Sequence, residues 1–173
     1  MSSWRFLVLP AILLALLGLQ VKRGTELIRA SRLLWAVEAR TLSMIRGRTL
    51  QPAHVTAHLT ALADAAGLDP AEVGIQVAIG SQYFLRGDFE KALATYREAR
   101  RLEARPEILL NMGKANQMLG RKNAARFLYG RAVRLDPALL REVPAEMQAA
   151  VSEALGSEND PDGAQQDGQI DPD

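Results

Sequence analysis

The chain contains no cysteine. That excludes disulfides, thiolate nucleophiles and thiolate metal sites. It leaves the compartment open, because a helical domain needs no disulfide on either side of a membrane. Aromatic residues make up only 5% of the sequence, and its 48% apolar content leans on Ala and Leu. Strands want β-branched and aromatic side chains, whereas Ala and Leu lead the helix scale, so the composition points to an all-α protein. Charge of one sign is lacking too. Lys and Arg number 21 against 20 Asp and Glu, a net +1 over 173 residues. No global field therefore draws nucleic acid. There is no G-x-S-x-G, no phosphate-binding glycine loop and no zinc motif. The acids fall at helix caps and on solvated faces. Neither catalysis nor a cofactor, metal or small-molecule substrate is expected.

What charge there is lies unevenly. Residues 22–48 carry seven basic side chains against Glu26 and Glu38, and residues 157–173 carry six acids and no base. Before the basic stretch, residues 6–21 read FLVLPAILLALLGLQV without a charge. As helix this segment spans ~24 Å at ~1.5 Å per residue, and Trp4 and Arg5 extend it toward the ~30 Å of a hydrocarbon core. The first reading is a single-pass membrane anchor occupying residues 1–23, which makes the lipid bilayer a partner. A cleaved signal peptide is the alternative, although no A-x-A-like site follows. A buried core helix would need a larger core around it. Lys22, Arg23, Arg29 and Arg32 follow the segment, so the positive-inside rule puts the rest of the chain in the cytoplasm, by a narrow margin over the periplasm.

Residues 24–70 read as a leading helix pair. Leu27, Leu34, Val37, Leu42 and Ile45 keep helical spacing over 26–46, with Gly47 as the stop. The apolar stripe of this helix caps the domain, or its arginines lie on anionic lipid. A second helix opens at Pro52 and ends at Gly67. On it His54 and His58 stand four apart on one face. With no HExxH glutamate between them, exposed polar positions explain them better than a metal site.

The most informative feature is a repeat of 33 residues over 80–137. Gly80 recurs as Gly113, Gly87 as Gly120, Ala92 as Ala125, Tyr96 as Tyr129, Ala99 as Ala132 and Leu102 as Leu135. Antiparallel helices approach closely only where side chains are small, which explains Gly or Ala at a crossing. A helix does not place glycine at the same phase twice without cause, since each costs ~1 kcal/mol against Ala. Asp69-Pro70-Ala71-Glu72 reads as a capped helix start. Helices are expected from there to Arg86, from Phe89 (capped by Asp88) to Glu103, from Pro106 to Gly120, and from Lys122 to Leu135.

These positions resemble tetratricopeptide (TPR) repeats, two of them over 71–137. The small crossing residues are Gly80, Ala92, Gly113 and Ala125. The second-helix residues are Tyr96, Ala99, Tyr129 and Ala132, the turn glycines Gly87 and Gly120, and the closing proline Pro137. Tyr83 holds the first-helix aromatic position, where the second repeat departs with Asn116. The resemblance implies a short solenoid of antiparallel helix pairs with a concave protein-binding face. Carried over by position, that face comprises Val77, Ser81, Phe84, Leu85, Leu110, Asn111, Lys114, Gln117 and Met118. Asn111 and Lys114 match part of the clamp that some members use for a terminal carboxylate.

Residues 138–156 continue with Leu139, Leu140, Val143, Met147, Val151 and Leu155 at helical spacing, interrupted by Pro144. They read as a closing helix that could fill the concave face. The Gly-, Asp- and Gln-rich tail, 157–173, cannot bury enough surface to order itself. The function expected is a membrane-anchored adaptor or scaffold of a bacterial envelope assembly at the inner membrane. Alternatives are an exported soluble protein after signal cleavage and a lipid-surface protein acting through the basic helix 26–46. The concave helix face would bind another protein and not nucleic acid.

Overall fold

The computed structural model describes the backbone of residues 5–157 and the side chains of 13–156. The described residues are all-helical, in the order α1 (Arg5–Arg46), α2 (Pro52–Leu68), α3 (Val73–Leu85), α4 (Phe89–Leu102), α5 (Pro106–Met118), α6 (Lys122–Leu135), a 3-10 helix (Pro137–Glu142) and α7 (Ala145–Ser157). Contacts divide the chain into two units, 1–82 and 83–173.

In the first unit α1 is one helix of 42 residues, about 63 Å long at 1.5 Å per residue. The helix expected to begin at 26 is therefore the second part of α1, and it ends at Arg46 as expected. Gly24 costs propensity but breaks no hydrogen bond, and no proline follows it in the helix, so the ladder runs on. Among the described residues no helix is long and apolar enough to cross a membrane. Of the span expected over 6–21, residues 6–12 have no described side chains. The acidic tail, Ser157 apart, lies outside the described residues altogether.

The last helical residue is Arg46, followed by Gly47 as expected, but it is Arg48 and not Gly47 that takes the left-handed conformation. Arg48 takes φ +52°, and Thr49 N–H donates to Met44 O at 2.9 Å, closing the last turn. A core of Ala30 and Val37 from α1, Leu62 and Ala65 from α2, and Ile75 and Ala78 from α3 holds the unit. Leu62 and Ile75 have no exposed surface, which at ~25 cal/mol per Å² stabilises by roughly 1.5–3 kcal/mol each. The start of α3 is later than the sequence suggests. Pro70 and Ala71 form a turn, and the Glu72 carboxylate, not Asp69, accepts from Gly74 N–H at 3.0 Å.

In the second unit α4 packs on α5, α5 on α6, and α6 on both the 3-10 helix and α7. The two turns use one geometry, 33 residues apart. Gly87 and Gly120 have φ +85° and +76°, a region that suits glycine. Asp88 N–H donates to Tyr83 O, and Arg121 N–H to Asn116 O, both at 2.9 Å. Asp88 does not cap α4 through its side chain. Its carboxylate accepts instead from Arg86 Nε at 2.9 Å. Ala92, Ala99, Ala125, Ala132 and Tyr129 are wholly buried, and Tyr96 nearly so. Pro144 divides the closing segment into the 3-10 helix and α7, as its fixed φ and missing N–H require.

Candidate functional site

The nine residues expected to form one face do not share one environment. In the first unit Val77 is half-buried, and the Ser81 hydroxyl donates back to Val77 O at 2.9 Å. In the second unit Phe84 packs edge-on against Phe89, ring centres 5.2 Å apart. Beside it the guanidinium of Arg86 lies 5.1 Å from the Tyr83 ring centre. Leu85 and Met118 are exposed, whereas Leu110 is buried in the core. Leu110 is therefore not a groove residue. Helix α5 lies between α4 and α6 and buries Ile108, Leu109 and Leu110 in succession, so its open face is narrower than a two-sided helix would have. Asn116, the departure from the aromatic pattern, is buried and donates to Met112 O at 2.9 Å, satisfying itself within the helix.

The polar part of the α5 face is engaged by the chain's own closing segment. Lys114 Nζ lies 3.6 Å from a Glu142 carboxylate oxygen. Gln117 Nε2 donates to Glu146 at 2.6 Å, and the Tyr129 hydroxyl donates to Gln117 Oε1 at 2.7 Å. Lys114 thus meets a carboxylate, but an internal one. Asn111 is half-buried beside it on the same helix. Burial, and secondly the charge of Glu146, push the Tyr129 hydroxyl's pKa well above the ordinary tyrosine value. The phenol stays neutral and keeps donating.

A second polar cluster, in the first unit, escaped sequence reasoning. His58 is buried, not exposed. Its Nδ1 lies 3.1 Å from Thr41 Oγ1 and 3.3 Å from Gln82 Oε1, while Gln82 Nε2 donates to Thr41 Oγ1 at 3.1 Å. The set closes with the proton on Nδ1, since the Gln82 oxygen can only accept. A hydroxyl against an imidazole is also the pairing of nucleophile and base in covalent catalysis. Here all three side chains are less than a tenth exposed and an amide, not a carboxylate, shares the nitrogen, so the cluster ties α1, α2 and α3 together. His54 has a different task. Its Nδ1 accepts from Gln51 N–H at 3.2 Å, at the start of α2. Among the described residues no three His, Asp or Glu side chains are grouped so as to hold a metal ion.

The largest exposed apolar surface of the first unit runs along α1, where Leu14, Val21, Ile28, Trp35 and Leu42 are each more than half exposed. Partial burial raises the Glu38 carboxyl above its ordinary pKa. In the second unit Arg105 holds Glu103 below its ordinary value, chiefly through a hydrogen bond. No known protein family matches the chain, and no characterised protein resembles it closely enough to count as a relative.

Proposed function

We propose that the chain is a TPR-like adaptor, tethered to a membrane by residues 6–21, whose second unit binds another protein in a bacterial envelope assembly. What carries the reading is the 33-residue recurrence of turn and packing. The two glycine turns share their hydrogen bonds, and the small and aromatic residues that follow are buried at the same phase. Such pairs bind by presenting helix faces. The tether is supported by the uncharged run 6–21 and by Leu13, Leu14, Leu16, Leu17 and Leu19, all more than half exposed. The seven basic residues over 22–48 favour a cytoplasmic second unit at the inner membrane.

The docking face proposed is that of α5 with the exposed Met118, and a partner there competes with Glu142 and Glu146. Lys114→Glu with Met118→Asp removes the complementary charge and the apolar contact without touching the core. The expected result is that a protein co-purifying reproducibly from solubilised membranes is lost with the double variant while helix content and thermal stability hold. Unchanged capture would overturn the docking face. Extraction by carbonate of the intact chain would overturn the tether.

A further inference from the structure

Of the ten large apolar residues exposed on α1 among the described residues, Leu13, Leu16 and Leu19 belong to the apolar run 6–21 alone, and the other seven fall on two lines spaced by seven residues. Leu14, Val21, Ile28, Trp35 and Leu42 follow one another every seven residues and are 69%, 60%, 56%, 75% and 53% exposed. They lie opposite Ala30 and Val37, which face α2 and α3 in the core. A second line three residues on begins with Leu17, continues with the small Gly24 and Ser31, and ends with Glu38 and Ile45. A tryptophan three-quarters exposed on a helix whose other face is packed calls for a covering partner.

We propose that this stripe is a dimer seam, along which α1 of one chain packs in parallel against α1 of a second copy as a two-stranded coiled coil over residues 14–42. The spacing selects a helix as the occupant. A strict seven-residue line drifts ~20° per heptad on a straight helix and stays in contact only with another helix that coils with it. A flat lipid surface rewards a broad apolar face, whereas this line is flanked by Arg32, Ala39 and Arg46. Self-pairing fits best, because in a parallel two-fold pair each position meets its own copy, apolar on apolar throughout. Gly24 and Ser31 let the backbones approach. The surface is sufficient. A buried leucine or isoleucine contributes on the order of 100 Å² and a tryptophan ~150–250 Å², so the stripe with Leu17 and Ile45 offers roughly 750–850 Å² per chain, near the ~800 Å² of a standard interface, with Leu14, Leu17 and Val21 pairing inside the bilayer where the tether reading holds. Parallel pairing extends the tether reading, since two chains anchored in one bilayer run in the same direction.

Glu38 is the one charge on the seam. Pairing brings two such carboxylates together, at a cost in stability.

The natural absence of cysteine makes the test clean. Single substitutions Ile28→Cys, Ser31→Cys, Trp35→Cys and Leu42→Cys in the full chain, in detergent micelles, should give disulfide-linked dimers on mild oxidation. Arg29→Cys, Ala36→Cys and Ser43→Cys should give few. Ser31→Cys leaves every apolar stripe residue in place, so loss of the seam cannot mask its result. Glu38→Gln should raise the dimer fraction several-fold by sedimentation at neutral pH. Equal linking in both sets, no linking, or a monomer at every concentration would overturn the proposal. So would a monomer that binds phosphatidylglycerol vesicles through Trp35, which assigns the stripe to lipid. None of these readouts depends on the tether, which carbonate extraction tests separately.

Discussion

The ring of Tyr129 occupies the space a side chain would need at Gly113. A Cβ built on Gly113 would come 2.5 Å from Tyr129 Cε1 and 2.6 Å from Cδ1. The sequence pattern places Gly113 at a crossing with a small residue, yet on this helix the glycine serves an aromatic one. Gly113→Ala should therefore destabilise despite alanine's better helix propensity: overpacking costs ~1–3 kcal/mol and the propensity gain returns ~1 kcal/mol. Chemical denaturation measures it. In a Tyr129→Leu background the cost should shrink or reverse, and a double-mutant cycle without coupling would mean that the two residues do not meet.

The same tyrosine gives a titration that can be read directly. Its raised pKa comes from burial first and from Glu146 second. A group whose pKa is raised on folding adds stability that is complete below its unfolded value, here 10.0, and is lost as pH rises through the folded value. The Tyr129 hydroxyl should resist ionisation in absorbance titrations until the chain unfolds. Glu146→Gln should lower its pKa slightly and leave it still raised, because burial is the larger cause.

The buried cluster of Thr41, His58 and Gln82 predicts an asymmetry. His58→Leu, Thr41→Val or Gln82→Leu alone each strands a buried partner, which costs about 1–3 kcal/mol. The triple variant removes every polar atom together and should cost less than the three single effects added. If the costs simply add, the hydrogen bonds are not acting as one network.

These relationships also show what was legible. Helix boundaries from Phe89 onward followed from Pro, Gly and apolar spacing, all local signals. The phase of Gly87 and Gly120 was visible because a turn needing positive φ leaves few residue choices. The role of His58 was not, because its partners stand 17 and 24 residues away and a histidine among polar neighbours carries no periodic mark. Leu110 was placed on the candidate face by its position in the repeat, while burial around α5 is decided by helices on both of its sides. The continuity of α1 through Gly24 was hidden because a lone glycine weakens a helix without ending it.

Arg48 offers the last prediction. It is the only described residue other than glycine with positive φ, a conformation that costs an L side chain roughly 1–2 kcal/mol. It sits where helices commonly place glycine, one step after the position the sequence marks with Gly47. Arg48→Gly should relieve that strain and pay back part of it through the freer unfolded chain, ~0.5–1 kcal/mol. The expected net is a gain of about 0.5–1 kcal/mol, seen as a higher melting temperature with unchanged helix content. The neighbouring Gly47→Ala tests the same assignment from the other side. Its Cβ would lie 3.3 Å from Ser43 O, a tight contact that needs a shift of a few tenths of an ångström, but with no demand for positive φ the cost should stay small. A large loss at Gly47 with no gain at Arg48 would mean that the helix ends through glycine after all.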